Sequence, residues 1–313
     1  MSRRCRYLMG LTVTGILLSV SCVARGESPH DTWLKRVLIT NDDGIEEEKL
    51  MPLVEAFARV AETCAIVPSQ DRSGGSTYMS LGKYKDTLGA ELVLEREQSS
   101  DSERVLVYAV DGFTADCVVL GLMGIMRDNP PDLVVSGING GPNLSHEWLG
   151  SGTVGGARMA AFCGVPAIAV SGLESDQAES VAVATRWVVQ LAQSRIVQNL
   201  EPGQYLTVSL PRKLPSEIRG VRVAPRAPLL GAPFFERGKK NKDPKTGRKR
   251  EAWTMHFLKE ANPAPADSDV ALYGSDYIVI VPMAVDEHDY DLLADLQKRL
   301  REFPSWPPAA NSH

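Results

Sequence analysis

The stretch Arg36-Val37-Leu38-Ile39-Thr40-Asn41-Asp42-Asp43-Gly44 decides how the chain is read. A short apolar run ended by a turn signal reads as a strand buried on both faces. Across residues 46–61, Leu50, Leu53, Val54, Phe57 and Ala61 recur at helical spacing. Pro52 falls inside that run, and proline fits a helix only in its first turn, so the helix is expected to begin near it. Cys64-Ala65-Ile66-Val67 is a second apolar strand, ended by Pro68. Strand, helix, strand in this order is a βαβ unit, two parallel strands joined by a right-handed crossover.

The alternation continues outward. Strands are expected at 105–110, 132–136, 166–170, 205–210 and 277–281, and helices at 114–126, 177–193 and 289–303. This pattern predicts an α/β fold, a Rossmann-like, doubly wound and mostly parallel sheet. The composition shifts after Pro211, and residues 237–250 are dense in Lys and Arg with Gly and Pro interspersed. That run reads as the solvated tip of a hairpin more readily than as a binding patch. The Pro-rich end, 304–313, reads as a disordered tail.

The start of the chain has a different character. Arg3, Arg4 and Arg6 precede an apolar run, residues 8–20, and small residues follow. This is the layout of a secretory signal peptide over residues 1–26, with the globular part at 33–303. The reading places the protein in a secreted or periplasmic location, with no transmembrane span once the leader is cleaved. Anchoring through the leader, or through a lipidated Cys22, is the alternative. The three later cysteines, Cys64, Cys117 and Cys163, lack CxxC spacing and sit in apolar contexts, so free buried thiols are expected rather than a zinc site. The formal net charge of −5 among 313 residues gives no global attraction to a nucleic-acid duplex, so phosphate chemistry must come from a local site.

In open α/β sheets, ligands bind beyond the carboxyl ends of the strands. Three such ends carry polar loops: Asn41-Asp42-Asp43-Gly44, Ser69-Gln70-Asp71-Arg72-Ser73-Gly74-Gly75-Ser76, and Ser136-Gly137-Ile138-Asn139-Gly140-Gly141-Pro142-Asn143. Adjacent carboxylates repel unless a cation lies between them. Asp-Asp-Gly alone is explained as well by a turn or a cap; the strand before it and the matching loops favour a metal. Carboxylate, hydroxyl and amide oxygens are hard ligands suited to Mg²⁺, Mn²⁺ or Ca²⁺. Ser151-Gly152-Thr153 ahead of a helix offers hydroxyls, free N–H donors and a positive dipole end, which is a phosphate cradle by type. No Walker lysine follows, and no GxGxxG opens the first helix, which ranks a dinucleotide-dependent oxidoreductase low.

Taken together, these motifs, with Arg72-Ser73-Gly74, Asp116-Cys117, Gly141-Pro142-Asn143 and Ser151-Gly152-Thr153-Val154, resemble the SurE (survival protein E) family of 5′/3′-nucleotidases from about residue 35 to 171. Asp269-Val270 and residues 276–283 resemble the family's late strand. The resemblance implies that Asp42, Asp43, Ser73 and Asn139 hold one divalent metal. It makes Asp42 and Asp43 the catalytic residues, with Asp42 either a nucleophile or only a ligand. It places Asn143, Ser151, Gly152 and Thr153 on the phosphate side. It implies hydrolysis of nucleoside monophosphates with Mg²⁺ or Mn²⁺, Ca²⁺ being a non-productive occupant. It also implies a hairpin near 222–253 and a homodimer or homotetramer. The chain departs from the pattern at Glu46-Glu47-Glu48-Lys49, at Arg158-Met159 and at Val281-Pro282-Met283. The acidic departure leaves a second reading, a nucleotide- or metal-binding protein of the same fold with weak turnover. His146, His256 and Trp148 are further candidates, for proton donation and for base stacking, each with a plain packing or surface role as the alternative.

Overall fold

A computed structural model describes residues 33–82, 86–173, 177–228, 233–257, 263–287 and 290–299. The expected leader, Cys22 and the tail at 304–313 lie outside the described residues. In chain order the elements are β1 (Arg36–Thr40), α1 (Leu50–Ala58), β2 (Glu62–Pro68), β3 (Ala90–Arg96), β4 (Val105–Val110), α2 (Thr114–Leu120), β5 (Leu133–Asn139), α3 (Gly152–Phe162) and β6 (Ala167–Ser171). Then follow α4 (Ala178–Gln193), α5 (Arg195–Gln198), β7 (Gln204–Ser209), β8 (Val221–Val223), β9 (Pro233–Lys242), β10 (Lys249–Phe257), α6 (Asp269–Tyr273), β11 (Ile278–Ala284) and α7 (Tyr290–Lys298).

Val37, Leu38 and Ile39 have no exposed surface, and burial on both faces puts β1 in the middle of a nine-stranded sheet. The order is β3-β4-β2-β1-β5-β6-β7-β11-β8. From β4 to β7 all neighbours are parallel. The outer strands β3 and β11 run antiparallel to β4 and β7. Side chains alternate across a strand, so Val37 and Ile39 join a core with α1 and α4 while Leu38 joins one with α2 and α3. Helices therefore cover both faces, as a doubly wound sheet requires. Because the central strands are parallel, the loops after β1, β2 and β5 leave from one edge.

Several boundaries differ from the pattern read in the sequence. Helix α1 starts at Leu50, and Pro52 is its third residue, within the turn where its missing N–H costs nothing. Helix α2 ends at Leu120 and gives way to a single π turn over Gly121–Ile125. Asp269 and Val270 open helix α6 rather than forming part of the late strand, which is β11 alone. The hairpin is β9 and β10, paired as a separate antiparallel ribbon. It begins later than residue 222, because Arg222 pairs with Val279 of β11 in the main sheet. Strand β3 was not expected; Leu92 and Val93 are 42% and 53% exposed on this edge, so it carries little burial signal. All three described cysteines are free. Burial pushes the Cys64 thiol up to about 12, so it stays protonated. Among the described residues no helix is long and apolar enough to cross a membrane.

Helix α3 approaches the loop after β2 so closely that Gly155 has no space for a side chain. A Cβ there would sit 2.1 Å from the Ser76 carbonyl oxygen, which is backbone and cannot swing away. Alanine gains at most about 1 kcal/mol of helix propensity over glycine, whereas overpacking a tight interior costs about 1–3 kcal/mol. The Gly155→Ala variant is therefore expected to be less stable, by up to about 2 kcal/mol from those two terms. Urea unfolding checks this; equal or greater stability would show that the loop can yield.

Candidate active site

The turn after β1 is tied off by its first residue. Asn41 Oδ1 accepts the Gly44 N–H at 3.1 Å and its Nδ2 donates to the Gly44 carbonyl at 2.9 Å. The Asn41 carbonyl accepts the Thr114 hydroxyl at 3.1 Å. The Asp42 carbonyl accepts the Arg72 N–H at 2.7 Å, which draws the loop after β2 over the turn. Backbone and amide bonds thus fix the direction of both following carboxylates.

Asp42 faces the first turn of α3. The Thr153 hydroxyl donates to Asp42 Oδ1 at 2.5 Å, short as hydroxyl-to-carboxylate bonds are. A Cβ on Gly152 would lie 2.8 Å from Asp42 Oδ2, so glycine is what lets the helix start this close. Ser151 caps the helix, its Oγ accepting the Val154 N–H at 3.1 Å. Burial raises the Asp42 pKa, while Thr153, through hydroxyl and backbone, pulls it back. A carboxylate at a helix N-terminus is favoured by the dipole.

Asp43 has less support. Its Oδ2 is buried and has no hydrogen-bond partner among the described residues. Burial first, then the charges of Asp42, Glu47 and Asp71, push its pKa up to about 7, against a smaller opposing effect of Lys49. Of the acidic run 46–48, Glu47 is thus the member felt at the site, and it is already paired with Lys49.

The other expected residues come to the same edge. Asn139 ends β5, the neighbour of β1, and spends its Nδ2 on the Gly141 carbonyl at 2.7 Å; its backbone carbonyl accepts the Gly172 N–H, and its side-chain Oδ1 is uncommitted among the described residues. Ser73 stands in the loop after β2; its N–H donates to Asp71 Oδ1 at 2.7 Å, and Ser73 holds the Asp71 carboxyl below its usual range. Asn143 is buried and donates to Ser171 Oγ at 2.6 Å, across to the end of β6. Thr153 is committed to Asp42 through hydroxyl and backbone, the Ser151 N–H to the Glu147 carbonyl and the Val154 N–H to Ser151 Oγ, so the Gly152 N–H is what the start of α3 leaves to a ligand. Among the described residues there is no cluster of three or more His, Cys, Asp or Glu side chains, so a cation here would need the hydroxyl and amide oxygens as well.

Some site-building residues were missed or underread. Asp116 is fully buried and accepts from Ser80 N–H and Oγ, Leu81 N–H and Phe113 N–H, at 2.8 to 3.2 Å, locking the loop after β2 onto α2. Arg226 donates to the Asn143 and Ser145 carbonyls, and Asp269 accepts the Ser145 N–H. No spacing signal marks either, since they act on a loop 80 or more residues away. Trp148 carries the Arg158 and Arg226 guanidiniums over its ring, each 5.5 Å from the centroid, which favours its packing role over base stacking. Arg158 also pairs with Glu287. His146 is exposed on a 3₁₀ turn, and His256 lies on the hairpin stacked on Phe234.

The raised carboxylates set a pH dependence for the metal-free protein. A folded pKa above the unfolded value means that the folded state holds the proton more tightly. The Asp43 contribution to stability is therefore present at acid pH and lost as pH rises through about 7. In chelator, the melting temperature is expected to fall between about pH 4 and pH 7 and to level off above, and to fall less in Asp43→Asn. Parallel pH profiles for the two proteins would remove the electrostatic account of this pair.

Comparison with known proteins agrees with this geometry. The family model described as "Survival protein SurE" matches residues 37–228, more than half of the chain. The chain is 33% identical over 273 residues to a protein of Rubrobacter xylanophilus named "5'-nucleotidase SurE", covering 84% of this chain and 96% of that one. It is 34% identical over 275 residues to a protein of the same name from Roseobacter denitrificans, covering 83% and 98%. The solved structure of the SurE protein from Aquifex aeolicus superposes with a TM-score of 0.66 at 25% identity, covering 85% of this chain and 99% of that one. With its sheet order, its strand-end loops and these matches in agreement, the chain belongs to the SurE family.

Proposed function

We propose that this protein is a divalent-metal-dependent phosphomonoesterase that hydrolyses nucleoside monophosphates to nucleoside and phosphate. The observation that carries the reading is the Asp42-Asp43 pair at the end of β1, with one buried oxygen left without a partner and the first turn of α3 packed against it. Relatives named 5'-nucleotidase SurE, matched over most of their length, support the substrate class.

The donor set fits a hard cation. Asp42, Asp43, Ser73 and Asn139 would hold one ion, Mg²⁺ or Mn²⁺, through oxygen alone, and the orphaned Asp43 Oδ2 is the atom such an ion would satisfy. When bound, the ion supplies positive charge for the phosphoryl oxygens and makes an attacking water easier to deprotonate. The rest falls to the chain. Asp42, pinned by Thr153 through one oxygen, serves as a fixed acceptor rather than a mobile nucleophile. At the start of α3 the Ser151 N–H is held by the Glu147 carbonyl, the Thr153 N–H by Asp42 and the Val154 N–H by Ser151 Oγ, which leaves the Gly152 N–H, with the positive end of the helix behind it, as the backbone donor for a phosphate. Asn143 borders the same space, held from behind by Ser171.

The second reading, a binding protein with weak turnover, drew on the acid after Gly44. Glu47 is paired with Lys49, which offsets part of its charge at Asp43 and weakens that support. The residues 1–26 support a secreted or periplasmic location by their sequence layout. Exposed Phe234, Phe235, Trp253 and Met255 on the hairpin, with Leu292 and Leu293 on α7, support a homodimer or homotetramer.

The purified protein is expected to release phosphate from AMP or GMP with Mg²⁺ or Mn²⁺ and to stop when EDTA is added. No turnover on any monophosphate with metal supplied would end this reading. Asp43→Asn should keep its fold, lose roughly 100-fold or more in kcat as expected for an electrostatic centre, and lose the rise in melting temperature that Mn²⁺ gives the parent. A variant with full activity and an undiminished Mn²⁺ shift would show that Asp43 is not a ligand.

A further inference from the structure

Asn143 and Ser145 carry buried backbone groups that neither the sheet nor a helix satisfies. Their carbonyls accept from Arg226 Nη1 at 3.1 and 3.3 Å. The Ser145 N–H donates to Asp269 Oδ2 at 2.8 Å, and its hydroxyl donates to the Ala227 and Pro228 carbonyls at 3.2 and 3.0 Å. Ser145 sits at φ +48°, a left-handed conformation that a side-chain-bearing residue keeps only when its surroundings impose it. So the loop does not set its own shape. Two ionised side chains, 81 or more residues away in the chain, set it.

Those side chains are themselves held. Arg226 is 12% exposed; its Nη2 donates to Thr207 Oγ1 at 3.0 Å and its Nε to Met283 Sδ at 3.2 Å. Asp269 is fully buried, and its Oδ1 accepts the Ala227 and Val270 N–H groups at 2.7 and 2.8 Å. Arg226 Nη1 and Asp269 Oδ2 stand 3.9 Å apart, so neither charge is left uncompensated. Arg226 precedes the β9-β10 hairpin in the chain and Asp269 follows it. Both ends of that excursion thus meet on the loop. Met283 takes the Arg226 Nε, and Arg158 shares the Trp148 ring with Arg226.

We propose that Arg226 and Asp269 are positioning residues that fix the Asn143–Ser145 loop, which leads into α3, and thereby set the affinity of the site for phosphate. This rests on the reading of that loop as the phosphate side. A pair that merely stabilised the fold would have a different signature. It would move the melting temperature and leave substrate and phosphate affinity alone.

The test uses the full chain with Mn²⁺, and Arg226→Met, Arg226→Lys and Asp269→Asn variants. Val279→Ala, which empties space in the buried cluster under β8 and β11, is the purely destabilising control. Melting temperature, kcat and KM for AMP, Kd for inorganic phosphate and Kd for Mn²⁺ are measured for each. Misplacing a binding group by about an ångström costs up to roughly 100-fold, so Arg226→Met is expected to raise KM and phosphate Kd by about 10–100-fold while Mn²⁺ affinity holds. Arg226→Lys keeps the charge but not the planar fork and should fall between. Val279→Ala should lower the melting temperature with KM unchanged. If Arg226→Met does not fold, Arg226→Lys and Asp269→Asn decide the matter. Folded variants that bind AMP and phosphate as the parent does would overturn the inference and leave the proposed function standing. A parent protein with neither turnover nor phosphate binding would overturn both.

Discussion

The bond from Thr153 to Asp42 is where the two halves of the site meet. One partner ends the central strand and the other opens the helix that packs against it, 111 residues later in the chain. A hydrogen bond to a charged group contributes on the order of 1.5–3 kcal/mol net, which is modest for the fold as a whole. Its geometric consequence is larger. Asp42 sits so close to Gly152 that even a methyl group would displace one of them, and Gly155 meets the Ser76 backbone on the same terms. The helix is pulled in against the carboxyl edge of the sheet, and its N-terminus faces the carboxylates instead of solvent.

That arrangement explains why two neighbouring aspartates behave differently. Both are desolvated, and desolvation alone favours the neutral acid. Asp42 is partly repaid by the hydroxyl and backbone of Thr153. Asp43 receives no such help, borders Asp42 and Glu47, and is driven up to about 7. One carboxylate is preorganised as an acceptor, and the other is kept in a state that a cation would relieve. Asp43 Oδ2 is one of several buried polar atoms without a partner among the described residues, and it is the carboxylate oxygen among them.

Legibility in the sequence followed burial. Strands β1, β2 and β5 are apolar because both of their faces are covered, so their runs and the polar turns after them could be read directly. Asp42 and Asp43 stood out because they follow such a strand, whereas Ser73 and Asn139 were singled out within their polar loops only by the family resemblance. Strand β3 was not visible, since an exposed edge strand needs no apolar run, and β8 has only three residues. The π turn after α2 kept the helical spacing of Leu122 and Met126, so the periodicity ran on past the end of the helix. Arg226 and Asp269 look like ordinary surface residues in sequence. Only the folded chain brings them to a loop whose backbone needs donors and an acceptor.

The acidic stretch after Gly44 reaches the aspartate pair through Glu47, which is paired with Lys49. Arg158 and Met283 touch Trp148 and Arg226, and Arg226 holds the Asn143–Ser145 loop. Replacing a buried charge pair by apolar residues is often neutral for stability, so an Arg-Asp pair at this position is weakly explained as a stabiliser of the fold. It is better explained by what apolar side chains cannot do, which is to hold two carbonyls and one N–H of an irregular loop in fixed directions.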